Sequence, residues 1–137
     1  MSTLNVGTIK SLGSSPPVFQ NSSGVEKGQL AKAWVNFDGS HGTSPFTIAN
    51  GGIRDSFNVS SVTDVTTGRY TVNLTTAMSN SNYCVISSSH FYETIVSGNS
   101  RIAGANVLAT GSYQLTISYN GTNTQDAENV FSAVFGD

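Results

Sequence analysis

The strongest constraint on this chain is a succession of short alternating runs between residues 30 and 86, cut by glycine, asparagine and serine turns. In the first run Ala31, Ala33, Val35 and Phe37 alternate with Lys32, Trp34, Asn36 and Asp38. Successive side chains of a strand point to opposite faces, so this period of two predicts a half-buried β-strand over 30–38. It also sets Trp34 opposite the regular apolar face. A side chain that large needs a cover there, either a second packing surface or a subunit contact.

The same pattern recurs. Phe57, Val59 and Ser61 alternate with Ser56, Asn58 and Ser60, and after a turn at 64–68, Tyr70, Val72, Leu74 and Thr76 alternate with Arg69, Thr71, Asn73 and Thr75. The pair reads as a β-hairpin. Asn50–Gly51, Gly98–Asn99, Thr110–Gly111 and Asn120–Gly121 are turn dipeptides, because Asn and Gly tolerate positive φ. Between them, further strands are predicted over 83–86, 101–109, 113–120 and 130–135. No segment sustains a helical period. Short strands separated by turns along the whole chain predict an all-β fold, an antiparallel β-sandwich of jelly-roll-like form.

Residues 1–29 differ from the body at 30–137. Leu4, Val6 and Thr8 alternate with Asn5, Gly7 and Ile9 as in a short strand, and Pro16–Pro17 follows, fixing φ twice and removing two N–H donors. The expectation is an extended arm that lies along a neighbouring subunit or hooks into a larger assembly, with a frayed terminus as the alternative. Leu4, Val6 and Ile9 on the arm, with Trp34 and Arg54 on the body, are the candidate subunit-interface residues.

Composition narrows the chemistry. Charged residues are 10% of the 137 and the formal charge is -2, with the six Lys and Arg residues scattered, so neither nucleic acid nor an anionic membrane is an expected partner. His41 and His90 stand outside any metal-ligand spacing and the acids are dispersed singly, so no metal or cofactor is expected. No Gly-x-Ser-x-Gly elbow occurs and the glycines open no phosphate loop, so the chain is not expected to be an enzyme. Glycoside cleavage would fall to Glu93 or Asp55. Cys84, the single cysteine, excludes an intrachain disulfide and is expected to pack as a small apolar residue. The N-terminus lacks a charged start followed by an apolar stretch, and no apolar run reaches membrane-spanning length, so neither export nor membrane insertion is expected.

Two sites draw attention. His90-Phe91-Tyr92-Glu93 crowds an imidazole, two aromatics and a carboxylate, a set suited to stacking on a sugar and bonding its hydroxyls. His90, Tyr92 and Glu93 are therefore candidate glycan contacts, against the alternative of a strand end that buries Phe91. Arg54 and Asp55 are neighbours whose side chains would diverge in a strand; Asp55 then stabilises a turn and Arg54 reaches another strand or subunit.

Taken as strings, 32–39 (KAWVNFDG), 53–62 (IRDSFNVSSV), 68–78 (GRYTVNLTTAM) and Asn82–Tyr83 closely resemble a module of tail-fibre and related virion proteins of tailed phages, especially those of cyanobacteria and marine bacteria. The opening 4–9 and the closing 131–137 are similar to that family's ends. The resemblance implies a virion component, a homotrimer assembled with other virion proteins, made in the host cytoplasm and contributing to recognition of host-surface polysaccharide. Because fibre proteins of that kind carry the module at the end of longer chains, a capsid decoration, knob or connector of purely structural role is the alternative.

Overall fold

A computed structural model describes residues 8–9, 19–28, 30–90, 101–119 and 123–136. The chain divides into two compact units, Met1–Leu30 and Ala31–Asp137.

In the first unit β1 (Phe19–Gln20) and β2 (Glu26–Gly28) form a short antiparallel pair. The pair falls within the stretch expected to be an extended arm. The strand forms because the Asn21 side chain turns the chain back: its Oδ1 accepts the backbone N–H of Ser23 at 3.1 Å and of Val25 at 2.9 Å, while Gly24 takes a φ of 76°. Thr8 and Ile9 lie in no strand, contrary to expectation at those two positions, and Ile9 is exposed. Leu4, Val6 and the Pro16–Pro17 connector fall outside the described residues.

The second unit is the predicted antiparallel sandwich. One sheet has four strands in the order β4 (Ile53–Phe57), β3 (Ala33–Phe37), β11 (Asn129–Phe135) and β7 (Cys84–His90). The other has five: β5 (Val59–Thr66), β6 (Arg69–Leu74) and β9 (Ser112–Tyr119) in order, with β8 (Arg101–Ala109) and the short β10 (Asn123–Thr124) also paired to β9. A jelly roll crosses between its sheets at nearly every connection. Here β3–β4, β5–β6 and β8–β9 are hairpins within one sheet, so the likeness lies in the layering rather than in the path of the chain.

The alternating positions meet between the sheets. Ala33, Val35, Phe37, Ile53, Val130 and Val134 from one sheet pack against Val62, Tyr70, Val72, Tyr113, Leu115 and Ile117 from the other, all at most 2% exposed. Each Val, Leu, Ile or Phe among them contributes about 1.5–3 kcal/mol by leaving water. Phe37 and Tyr70 meet edge to face at 5.2 Å, and Phe46, from the long 38–52 loop, closes that end through a backbone bridge to Val62.

One expected strand is two. The run 56–62 was read as continuous, yet Phe57 ends β4 in one sheet and Val59 opens β5 in the other. Asn58 makes the corner at a φ of 56°, which Asn tolerates better than most residues. Its Nδ2 donates to the carbonyls of Lys32 (3.0 Å) and Thr76 (3.1 Å), and its Oδ1 accepts the Thr76 N–H (2.8 Å). The hairpin predicted with 69–76 survives as β5–β6.

Tyr70 fixes the two sheets against each other. Its hydroxyl lies 2.8 Å from the Gly39 carbonyl and 2.7 Å from Asp126 Oδ1, which also accepts the Gly68 N–H. Gly39 follows β3 and Asp126 precedes β11, so a side chain of the five-stranded sheet anchors the two central strands of the other. A Cβ at Gly39 would sit 2.7 Å from that hydroxyl, which is why the position is glycine. Burial first, then the hydrogen bond to Asp126 and its negative charge, hold the Tyr70 phenol well above its ordinary range.

Candidate functional site

Strand parity decides what the outer side of the four-stranded sheet presents. Because Ala33, Val35, Phe37, Val130 and Val134 point inward, Trp34, Asn36, Phe131 and Ala133 point outward, and the ladder sets them in rows. One row runs Phe57, Trp34, Ala133, Ile86 across β4, β3, β11 and β7. The next runs Asp55, Asn36, Phe131, Ser88. Trp34 is 37% exposed, Phe57 54%, Phe131 39% and Ile86 60%.

The alternation of sizes shapes this surface. Ala133 lies low between the larger Trp34 and Ile86, and Phe131 rises beside it in the next row between Asn36 and Ser88. The result is a shallow groove of about 400 Å³. That volume lies in the range of small-ligand sites, whose pattern is an apolar lining with a few placed polar groups.

A polar corner adjoins it. Arg54 sits at the register irregularity of β4 opposite Asn36 and Phe37, and its guanidinium donates to Asn36 Oδ1 at 3.4 Å while standing 3.8 Å from Asp38 Oδ2. Asp38 Oδ1 in turn accepts the backbone N–H (2.9 Å) and hydroxyl (2.6 Å) of Ser40. An exposed ion pair of this length contributes about 0–1 kcal/mol to stability, so it orients Arg54 more than it holds the fold.

The structure therefore brings three of the anticipated residues to one sheet: Trp34 on β3, Arg54 on β4 and His90 at the end of β7, paired with Asn129. By parity with Ile86 and Ser88, His90 belongs to the outward set. Tyr92 and Glu93 lie outside the described residues, as does Phe91. Asp55, read as a turn residue, is instead within β4, where its carboxylate accepts the Ser56 N–H at 2.8 Å. Cys84 is not packed: it is exposed and paired with Phe135, because Tyr83 and Val85 take the inward positions.

Sequence reading missed Phe57, Ile86, Phe131 and the Ala133 floor. The available signal was the 130–135 run, in which apolar residues occupy both phases of the alternation. Only one phase can face a sandwich core.

Among the described residues no group of three or more His, Cys, Asp or Glu side chains could hold a metal ion, and no helix is long and apolar enough to cross a membrane. No protein-family model matches the chain, and no curated protein is significantly similar to it. Among solved structures it is similar to the phiAB6 tailspike, whose crystal structure is a complex with three-repeated oligosaccharides of Acinetobacter baumannii surface polysaccharide. That match has a TM-score of 0.53 at 13% identity and covers 96% of this chain but 30% of the tailspike. The chain thus spans under a third of that protein's length, and at this identity what the two share is a β fold.

Proposed function

We propose that the protein is a phage virion component of tail-fibre or tip type that contributes to recognition of host-surface glycan, and that the outer face of the four-stranded sheet is where it does so. The observation that carries this reading is the exposed row Phe57, Trp34, Ala133, Ile86 with its groove. Flat aromatic surfaces flanked by amides and charges suit sugar rings, which have apolar faces and hydroxyl edges. The fold shared with a saccharide-bound tailspike, and the resemblance of the sequence to tail-fibre modules, point the same way.

The reading involves binding without bond cleavage. Asp38 is tied to Ser40 and Arg54, and Asp55 to the Ser56 N–H. Trp34, anticipated at a subunit contact, here serves the saccharide, while Arg54 is held at the rim by Asp38 and Asn36 and His90 lies at the edge of the same face. Homotrimeric assembly adds avidity, since weak sites repeated on one particle gain from effective concentration.

Exposed Ile9, Phe19 and Val25, each 49% exposed or more, support a docking role for residues 1–29 toward other virion proteins. This also keeps the structural decoration or connector reading in play. Pull-down of host cells by the purified protein and by its Trp34→Ala variant tests the proposal: the wild type is retained on cells and the variant is not. Equal retention of both would refute the assignment of the face. Retention of neither, with the protein still present on particles, would favour the decoration role. Release of reducing ends from host polysaccharide would contradict binding without cleavage.

A further inference from the structure

We infer that the groove takes an uncharged saccharide. This deepens the glycan reading above, and rests on it, by naming the chemical class. A sugar ring lies on the Ala133 floor between Trp34 and Ile86, with Phe131 at one end and the Asn36 amide and Ser88 hydroxyl within the groove to meet its hydroxyls. Phe57 braces Trp34 from the far side as its cross-strand neighbour.

Charge argues for the class. Among the described residues the groove is lined by no ionisable side chain. A carboxylate or sulfate placed there would give up part of its water with no cation to replace it. The cation at the rim, Arg54, is turned toward Asp38 and Asn36, and Lys32 and Arg54 on this sheet or its edge are matched by Asp38 and Asp55. An acidic polymer would therefore meet a surface of no net attraction.

Area argues against a second copy of the chain as the occupant. Two rows across four strands cover on the order of 250 Å² from the usual spacings of ~4.8 Å between strands and ~6.7 Å between like-facing residues. A stable protein interface needs about 800 Å² from each partner. The patch by itself falls short of a subunit seam and is ample for a short oligosaccharide.

Trp34 is the only tryptophan in the chain, so emission excited selectively from tryptophan, clear of the five tyrosines, reports on this face alone. The experiment titrates the protein with neutral oligosaccharides (galactan and glucan series) and with acidic ones (polygalacturonate and alginate series) of matched length, at low and high salt. The expected result is a saturable emission change with at least one neutral series, insensitive to salt and weakened at least fivefold by Phe131→Ala, with none from the acidic series. Tighter, salt-sensitive binding of an acidic series would overturn the inference while leaving the glycan reading standing. Silence with every saccharide, together with an emission shift that tracks protein concentration and sedimentation, would overturn both and make the face a contact between copies.

Discussion

The two outward faces of the sandwich are built on one rule and differ in what they present: aromatic rings on one, mostly hydroxyls and amides on the other. On the five-stranded sheet the outward rows read Thr63, Thr71, Gln114, Asn106 and Ser61, Asn73, Ser112, Ala109, with Val65 and Leu108 its exposed large apolar side chains, and Asn73 Nδ2 donates to both Ser61 Oγ and Thr63 Oγ1 at 3.1 Å. Those hydroxyls and amides satisfy one another or water. On the four-stranded sheet the equivalent positions hold Phe57, Trp34, Ala133 and Ile86, whose exposure does nothing for the isolated fold. Apolar surface costs about 25 cal/mol for every Å² left in water, so rings that, among the described residues, are held outward on one face alone are the surface that the proposal assigns to binding.

Substitutions can break or sharpen this contrast. The largest effect falls on what both faces share: Phe37→Ala, beneath the outer rows and fully buried, should cost about 3–5 kcal/mol in denaturant unfolding. Trp34→Ala should instead leave stability within about 1 kcal/mol, the scale of a cross-strand pair. Its saccharide affinity by calorimetry should fall by at least tenfold, or about 1.4 kcal/mol. A Trp34→Ala variant that binds normally would erase the difference between the faces.

Tyr70→Phe should cost about 1–3 kcal/mol, because it strips a buried partner from Asp126 and the Gly39 carbonyl and loosens the strands that carry Trp34 and Phe131. Alkali probes the same phenol. Its folded pKa is raised above the unfolded value near 10, so its contribution is complete below about pH 10 and is lost as pH climbs beyond it. Tyr113, pushed up to about 12 chiefly by burial, acts in the same direction. Thermal midpoints should hold from neutrality to about pH 10 and then decline, less steeply in Tyr70→Phe. The smallest effect is expected at Thr71→Ala on the polar face: within about 0.5 kcal/mol in stability and no change in saccharide affinity.

How much of this was legible in the sequence follows from what alternation encodes. Period two located β3 and β6 and marked Trp34 as an outward ring without a cover, because parity is local information, while turn residues delimited the runs that became β8, β9 and β11. It could not reveal that 56–62 breaks at Asn58, since the alternation of Phe57, Val59 and Ser61 continues through the corner and the break depends on partners as remote as Lys32 and Thr76. Nor could it show that Phe57 and Ile86 share a row with Trp34. That requires β11 to enter between β3 and β7 from nearly a hundred residues beyond Trp34, a pairing no local pattern records. Cys84 was misplaced for a simpler reason: in Tyr83-Cys84-Val85-Ile86 every residue is apolar, so the run does not say which phase faces inward.

The most direct test of the contrast is an amide chemical-shift map of the labelled protein titrated with a neutral oligosaccharide that it binds. The account predicts perturbations concentrated at Trp34, Asn36, Ile86, Ser88, Phe131 and Ala133, with Ser61, Thr63, Thr71, Asn73 and Gln114 unmoved. Shifts centred on the second group, or spread evenly over both, would contradict it.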